Sequence, residues 1–560
     1  MTVDSQEHPR SRWIVFGATA VAIGVAAALA HRLAWTCDDA WISFRYARNL
    51  VEGHGLVFNT TERVEGYTNF LWTVWAAVGI ALGRAPDAWA NATSLPLYAL
   101  SIGLLGHEHL RRRREFGLGA VVTLPVAAFA GALVHEWQVW ATGGLETSMV
   151  TSLLLLGFVL ATRVDATTLW RIAAGLALAG AATTRPDAIL PAFLIGLYVL
   201  WTDRRRLPRV VAFAAAVLAP WAAWMAWRIG FYGDLYPNTW WAKSGDLTWW
   251  SQGVVFVGLW FARYWALLLG PALLIGAAWL GRRPSAPVVL AAVIWAVYTT
   301  WVARVGGGFM YGRLLIPSLP FALIVLDGAI AALAATRTTR EIALMTAVCL
   351  AALGLSPSPL PEGAGFEGIV DEWEHYAPAE ERAELARKAA TLRRTFEGLE
   401  VTVAFYGTEA GLMYQARIHE AIEAHAGLTD RFTAHQSLES RGRVGHEKHA
   451  PPDYLVGKRK AHFAFSPLAN QLVDLDGWIP DVRCRLDDVD ARVLHWDPAM
   501  IAAITKRGAV CDDFLAQLDQ ALEGPLSAAD ASRLGHFYFD HVDDPTRKAR
   551  LDGLTINAPR

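Results

Sequence analysis

Apolar runs recur along the first two-thirds of the chain, separated by short charged or Pro/Gly-rich breaks, and they stop near residue 360. About 20 apolar residues are needed to cross a bilayer as a helix. The runs at 13–35, 87–107, 117–135, 146–162, 170–184, 188–202, 209–229, 262–280, 285–303, 314–335 and 341–357 therefore predict about eleven spans. The run 70–82 is too short and reads as an interfacial or re-entrant helix. Arginines gather at alternate ends: Arg111 to Arg114, Arg163, Arg204 to Arg206, Arg282 with Arg283, and Arg337 with Arg340. The positive-inside rule puts these in the cytoplasm, with Arg10 and Arg12 holding the N-terminus there. Arg10 and Arg12, the run from Trp13 to Leu29 and the Ala28-Leu29-Ala30 sequence also fit a cleaved signal peptide. The run is long for one and further spans follow, so it reads as an uncleaved first helix. An odd span count leaves the C-terminus outside.

Beyond 360 the pattern changes. Glu380–Glu397 predicts a helix with a charged face, 401–407 (VTVAFYG) a buried strand, and 409–425 a further helix. The expected organisation is mostly α: a polytopic helical membrane domain over 1–359, then a small external α/β domain over 360–560.

Composition narrows the class. Of 560 residues, 54% are apolar and 25 are Trp, which argues against a soluble enzyme. The net charge of −2 averages over segregated charge. No basic domain or zinc-knuckle spacing points to nucleic acid. The four cysteines include no C-x-x-C pair. Cys484 and Cys511 lie on the expected oxidising side, where a disulfide and two buried thiols are both open.

The polar exceptions fall on one side of the expected membrane, opposite the arginine clusters. They are Asp38, Asp39, Glu65, Glu146, Arg185, Asp187, Asp234, Asn238, Lys243, Arg304 and Arg313. Charge set against the positive-inside trend needs a partner or a function. The richest stretch is 36–69. Two adjacent carboxylates open an amphipathic helix, with Ile42, Phe44, Tyr46, Ala47, Leu50 and Val51 on one face and Arg45, Arg48 and Asn49 on the other. Tyr232, Tyr236, Trp240, Trp241, Trp249 and Trp250 read as an interfacial aromatic belt, with stacking on sugar rings or guidance of a prenyl chain as the alternative. His446, Glu447 and His449 are not spaced as H-E-x-x-H, and their segment reads as a loop rather than a metal site.

These segments also carry a resemblance. The stretch 36–69, with GLETSMV (144–150), RPDAIL (185–190), YGDLYPNTWWAKSG (232–245), GGGFMYGRLLIP (306–317) and GHEKHAPPDYL (445–455), resembles bacterial polytopic glycosyltransferases of the C-type (GT-C) membrane fold. Within them it is most similar to the mycobacterial terminal β-(1→2)-arabinofuranosyltransferase family. The resemblance implies a plasma-membrane enzyme that moves a sugar from a polyprenyl-phosphate donor to an envelope glycan or lipid-linked acceptor on the outer face. It puts the catalytic aspartate at Asp38 or Asp39, because sugar transfer needs the acceptor hydroxyl deprotonated as it attacks C1. An aspartate here can also cap the helix. Arg185, Lys243, Arg304 and Arg313 are the candidates for the leaving phosphate. Arg45, Glu65, Glu146, Asp187, Asp234, Asn238, His446 and Glu447 complete the expected substrate contacts. No cofactor is required by the motifs, and a divalent cation is left open. Gly308 departs from the pattern: relatives commonly carry an acid there, so any contact made from it is lost or moved. A transporter or lipid flippase is the alternative, disfavoured because no internal repeat is visible.

Overall fold

The computed structural model describes residues 9–116, 118, 124–334, 337–405, 409–465 and 481–555. The Arg10 side chain, residues 406–407 of the expected strand and part of the expected span 117–135 lie outside the described residues. The chain forms two compact units. The first comprises Met1–Ser43, Thr68–Leu235 and Gly245–Ala377; the second comprises Phe44–Tyr67, Tyr236–Ser244 and Pro378–Arg560. Relative to the expected division at 359/360, the second unit starts later and takes in two earlier segments.

The first unit is helical. Its elements are α1 (Pro9–Arg32), α2 (Asp38–Val51, which passes into the second unit), α3 (Phe70–Ala81), α4 (Pro86–Glu115), α5 (Val126–Leu133), α6 (His135–Ala141), α7 (Thr147–Ala161), α8 (Thr168–Thr184), α9 (Ile189–Thr202) and α10 (Leu207–Tyr232). After the short α11 (Asn238–Ala242) of the second unit come α12 (Trp250–Arg263), α13 (Leu269–Trp279), α14 (Ala286–Arg304), α15 (Leu319–Ala334), α16 (Thr339–Gly354) and α17 (Glu372–Tyr376).

Among the described residues four helices are long and apolar enough to cross a membrane: Ser11–Arg32, Leu207–Tyr232, Ala286–Arg304 and Arg313–Ala334. A fifth is reached if Trp250–Arg263 and Trp265–Trp279, bent by 92°, count as one span. The expected straight span 262–280 is thus the second arm of a sharply bent pair. The helices α7 and α3 are apolar but short, with 15 and 12 residues. Two helices show opposite packing. Every residue of α15 is buried, as expected of a helix at the centre of a bundle; its one charged residue, Asp327, pairs with His109 at 2.9 Å, and the rest is apolar on all faces. In α10 only Phe213, Arg228 and Tyr232 of 26 residues are buried, so its apolar surface faces outward, as a lipid-facing helix would.

Among the described residues the second unit carries a six-stranded sheet of order β2-β1-β3-β5-β4-β6, with β1 Thr402–Phe405, β2 Glu420–Glu423, β3 Phe463–Phe465, β4 Arg483–Leu486, β5 Val489–Val493 and β6 Val510–Cys511. β1 is parallel to β2 and β3, and the remaining pairs are antiparallel. The charged helix expected at 380–397 is α18 (Ala379–Phe396). The helix expected over 409–425 is a correction. It ends as α19 (Ala410–Gln415), Arg417 turns the chain at φ 54°, and residues 420–423 pair with β1 as a strand. The strand is Glu-Ala-Ile-Glu, too short and too mixed in pattern to tell strand from helix, and the open edge of β1 decides. Cys484 faces Cys511 across β4 and β6, and the two form a disulfide.

Candidate active site

The two carboxylates expected to open a helix do so: Asp38 and Asp39 are its first residues, in the turn where a helix favours negative charge. Burial differs from expectation. On α2 the polar face is buried along with the apolar one, because Arg45, Arg48 and Asn49 spend their donors on carbonyl groups. Asp38 is 5% exposed and Asp39 half-buried.

The loop before Asp38 is held to the Gly-Gly-Leu-Glu segment. The Cys37 amide donates to Gly143 O at 2.9 Å, and the Trp72 indole donates to Gly144 O at 3.0 Å. This segment ends in Glu146, which is 3% exposed. Three donors converge on its carboxylate: Arg313 Nη2 at 2.8 Å and Arg185 Nη1 at 3.1 Å, both to Oε1, and Asn69 Nδ2 to Oε2 at 3.0 Å. Asn69 Oδ1 in turn accepts from Ser43 of α2 at 3.1 Å. Ser43 lies four residues, about one turn, beyond Asp39, so the network reaches the carboxylate-bearing helix.

The two arginines differ in what they have left. Arg185 uses Nη1 on Glu146 and Nε and Nη2 on Asp187, at 2.9 and 3.1 Å; Asp187 also accepts the Tyr298 hydroxyl. Its fork is fully engaged. Arg313 gives Nη2 to Glu146 and Nη1 only to the weak acceptor Met310 Sδ at 3.2 Å, while its buried Nε has no hydrogen-bond partner. It lies 5.6 Å from the Trp140 ring. Gly312, just before it, has φ 72°, and a Cβ there would meet Glu136 Cγ at 2.7 Å, so this turn requires glycine.

Charge links these groups to the aspartates. Burial pushes the Cys37 thiol up, Glu372 and Asp39 add to this, and the Arg313 guanidinium opposes it. Arg313 is thus within electrostatic reach of the residue preceding Asp38. Burial also raises Tyr376, and Asp38, Glu372, Cys37 and Asp39 add to this in that order. Its helix, α17, is anchored by the Trp373 indole on Leu33 O at 3.0 Å.

Hydrogen bonds in the first unit thus join Glu146, Arg185, Asp187 and Arg313, and the same unit carries Asp38 and Asp39 at the start of α2. Of its other expected residues, Arg304 ends α14 exposed, and Asp234 is half-buried after α10 with its carbonyl accepting from Arg228 at 3.4 Å. The remainder lie in the second unit. Arg45 donates Nε to Phe58 O at 2.7 Å and Nη2 to Asn59 Oδ1 and His419 O, both at 3.1 Å. Glu65 is buried, and its carbonyl accepts the Asn238 amide at 3.0 Å. Asn238 Nδ2 bridges the carbonyls of Gly427 and Leu428 at 2.9 and 2.8 Å, a structural clasp. Lys243 is exposed and lays its stem along Gly445.

His446 packs 5.3 Å from His425, and Glu447 pairs with Arg441 at 3.2 Å. Burial pulls His446 down to about 3, with Arg443 next, and pulls His425 down to about 2, with His446 next. Both are neutral imidazoles at physiological pH. Among the described residues no group of three or more His, Cys, Asp or Glu side chains is placed to hold a metal ion. Sequence reasoning did not single out Ser43, Asn69, Tyr298 or Tyr376 for the site. Such residue types are common, and only the fold brings them to the carboxylates.

No protein-family model matches the chain. The terminal β-(1→2)-arabinofuranosyltransferase of Corynebacterium glutamicum is 31% identical over 332 residues, 52% of this chain and 47% of that protein. Its Mycobacterium tuberculosis counterpart is 29% identical over 405 residues, 65% of this chain and 58% of that protein. The chain is similar to terminal β-(1→2)-arabinofuranosyltransferases. It spans about half the length of these relatives. ArnT from Cupriavidus metallidurans bound to undecaprenyl phosphate superposes with a TM-score of 0.55 at 15% identity, covering 88% of this chain and 99% of that one. At that identity the likeness shows the fold, which is the membrane architecture that the resemblance implied. Taken with the apolar helices, these matches make the chain a multi-pass membrane protein.

Proposed function

We propose that this chain is a membrane glycosyltransferase that moves a sugar from a polyprenyl-phosphate donor to an envelope glycan or lipid-linked acceptor. Similarity to two arabinofuranosyltransferases favours arabinofuranose as that sugar. One observation carries the reading: a buried carboxylate, Asp38, opens a helix in the same unit as an arginine with unspent donors, Arg313.

Asp38 takes the proton of the acceptor hydroxyl as its oxygen bonds to C1 of the donor sugar. The bond from C1 to the phosphate oxygen breaks, and the polyprenyl phosphate leaves with that electron pair. Arg313 faces the leaving phosphate, because its Nε and weakly held Nη1 can donate to it. Arg185 and Asn69 hold Glu146, and Glu146 holds Arg313; these three position rather than react. Topologically, about eleven membrane segments with a cytoplasmic N-terminus put Asp38 and the second unit on the outer side, which the arginine placement supports. Glu65, Asn238, Lys243, His446 and Glu447 then belong to the acceptor side.

The test is transfer of label from synthetic polyprenyl-phosphate arabinofuranose to an arabinan oligosaccharide by the purified chain in nanodiscs, beside hexosyl and other pentosyl donors. Arabinofuranosyl transfer is expected. Transfer from another donor alone would overturn the sugar assignment, and no transfer from any donor would overturn the reading.

A further inference from the structure

The second unit contains a cavity of about 330 Å³ that the proposed transfer does not use. Guanidinium groups from three segments wall it: Arg45 and Arg48 from α2, Arg393 from α18, and Arg417 just after α19. Two carboxylates, Glu52 and Glu397, share the wall, which is formally two charges positive: four arginines less two glutamates. Glu52 sits 3.7 Å from Arg417.

Arg45 is the deepest of these, 2% exposed. Its Nε and Nη2 are spent on Phe58, Asn59 and His419, while its buried Nη1 has no hydrogen-bond partner. Burial pulls Arg45 down to about 9, with the neighbouring Arg48 the next cause. Arg48 is itself lowered by burial, and Arg417 and Arg393 add to this against Tyr414 and Glu52. A buried cation facing other cations is unfavourable unless an anion completes the site. Arg417 adds an independent sign. It follows α19 at φ 54°, with the Ile418 amide donating back to Met413 O at 3.2 Å, a helix terminus where glycine is usual. Arginine is strained there, and its side chain lines the cavity from the exposed side.

We propose that this cavity is a binding site for a phosphomonoester of a small sugar. The forks of arginine match phosphate oxygens. A phosphomonoester carries about −1.5 to −2 at neutral pH, which balances the wall, whereas a carboxylate leaves about one positive charge over. The volume is at the small end of ligand sites, roughly 300–1,000 Å³, with room for a sugar ring beside the anion. Asn49, His54, Thr60 and His419 add hydrogen-bonding side chains to the wall that suit hydroxyl groups.

The experiment is calorimetric titration of the full chain in detergent with glucose 1-phosphate, inorganic phosphate and glucuronate. It measures binding alone, so its outcome is separate from that of the transfer assay. Saturable binding is expected, tightest for glucose 1-phosphate and weakest for glucuronate. Arg417→Gly should weaken it about tenfold or more while leaving thermal stability equal or higher, because glycine relieves the positive φ. Arg393→Ala should weaken it comparably. Absence of saturable binding, or wild-type affinity in both variants, overturns the site. Tighter binding of glucuronate overturns the phosphate, and equal binding of inorganic phosphate overturns the sugar.

Discussion

Asp38 and Asp39 are neighbours in the chain with different surroundings: one is buried, the other half-buried. That difference makes Asp38 the base in the proposed mechanism. Asn caps a helix about as well as Asp but cannot accept a proton. Asp38→Asn should therefore express and fold normally while transfer falls by roughly 10²–10⁴-fold, the usual worth of a general base. Radiolabel transfer at matched protein levels checks this, and a near-wild-type rate would remove Asp38 from the chemistry. The arginines separate in the same way. Arg304 and Arg313 flank one Gly-rich segment and look alike in sequence, but Arg304 is exposed and Arg313 is held on Glu146. Arg313→Ala should raise the donor KM by about ten- to a hundredfold, the equivalent of roughly 1.5–3 kcal/mol for a charge-assisted bond, while Arg304→Ala leaves it unchanged. Saturation curves over donor concentration decide, and equal effects from both would return Arg313 to a structural part.

At the scale of elements, local pattern served well where one face or one composition dominated. Both α2 and α18 begin within a residue of where charge and periodicity put them. It failed at 409–425, where the mixed segment Glu420–Glu423 joined the sheet because β1 offered an edge. The disulfide is a similar case. Cys484 and Cys511 are 27 residues apart, and strand order makes them partners. Closing a loop of that length stabilises a fold by about 3–4 kcal/mol on the chain-entropy account. The double variant Cys484→Ser, Cys511→Ser should unfold its second unit at lower denaturant, seen as earlier proteolysis of the segment after Pro378. The first unit should keep its own transition. Coincident loss of both would show that the units do not unfold separately.

At the scale of the molecule, arginine clusters alternate with polar motifs, and this alternation predicts sidedness. In the proposed topology, cysteines introduced at 109–114 should resist a membrane-impermeant reagent applied to intact cells. Cysteines at 430–445 should react. The reverse pattern would invert the orientation and place Asp38 on the cytoplasmic side.

Linear pattern was enough for the division between apolar helices and a charged α/β segment and for the helix opened by Asp38 and Asp39. Hydrophobic period and charge asymmetry are local properties, so they survive in a linear reading. Only the folded chain decided which arginine keeps donors to spare, that α2 buries its polar face, and that Asn69 links Ser43 of α2 to Glu146. It also decided that four arginines from distant segments wall one cavity. Each of these depends on which carbonyl or carboxylate meets which donor across tens or hundreds of residues. No spacing along the chain encodes such a meeting, because the fold as a whole satisfies buried polar groups.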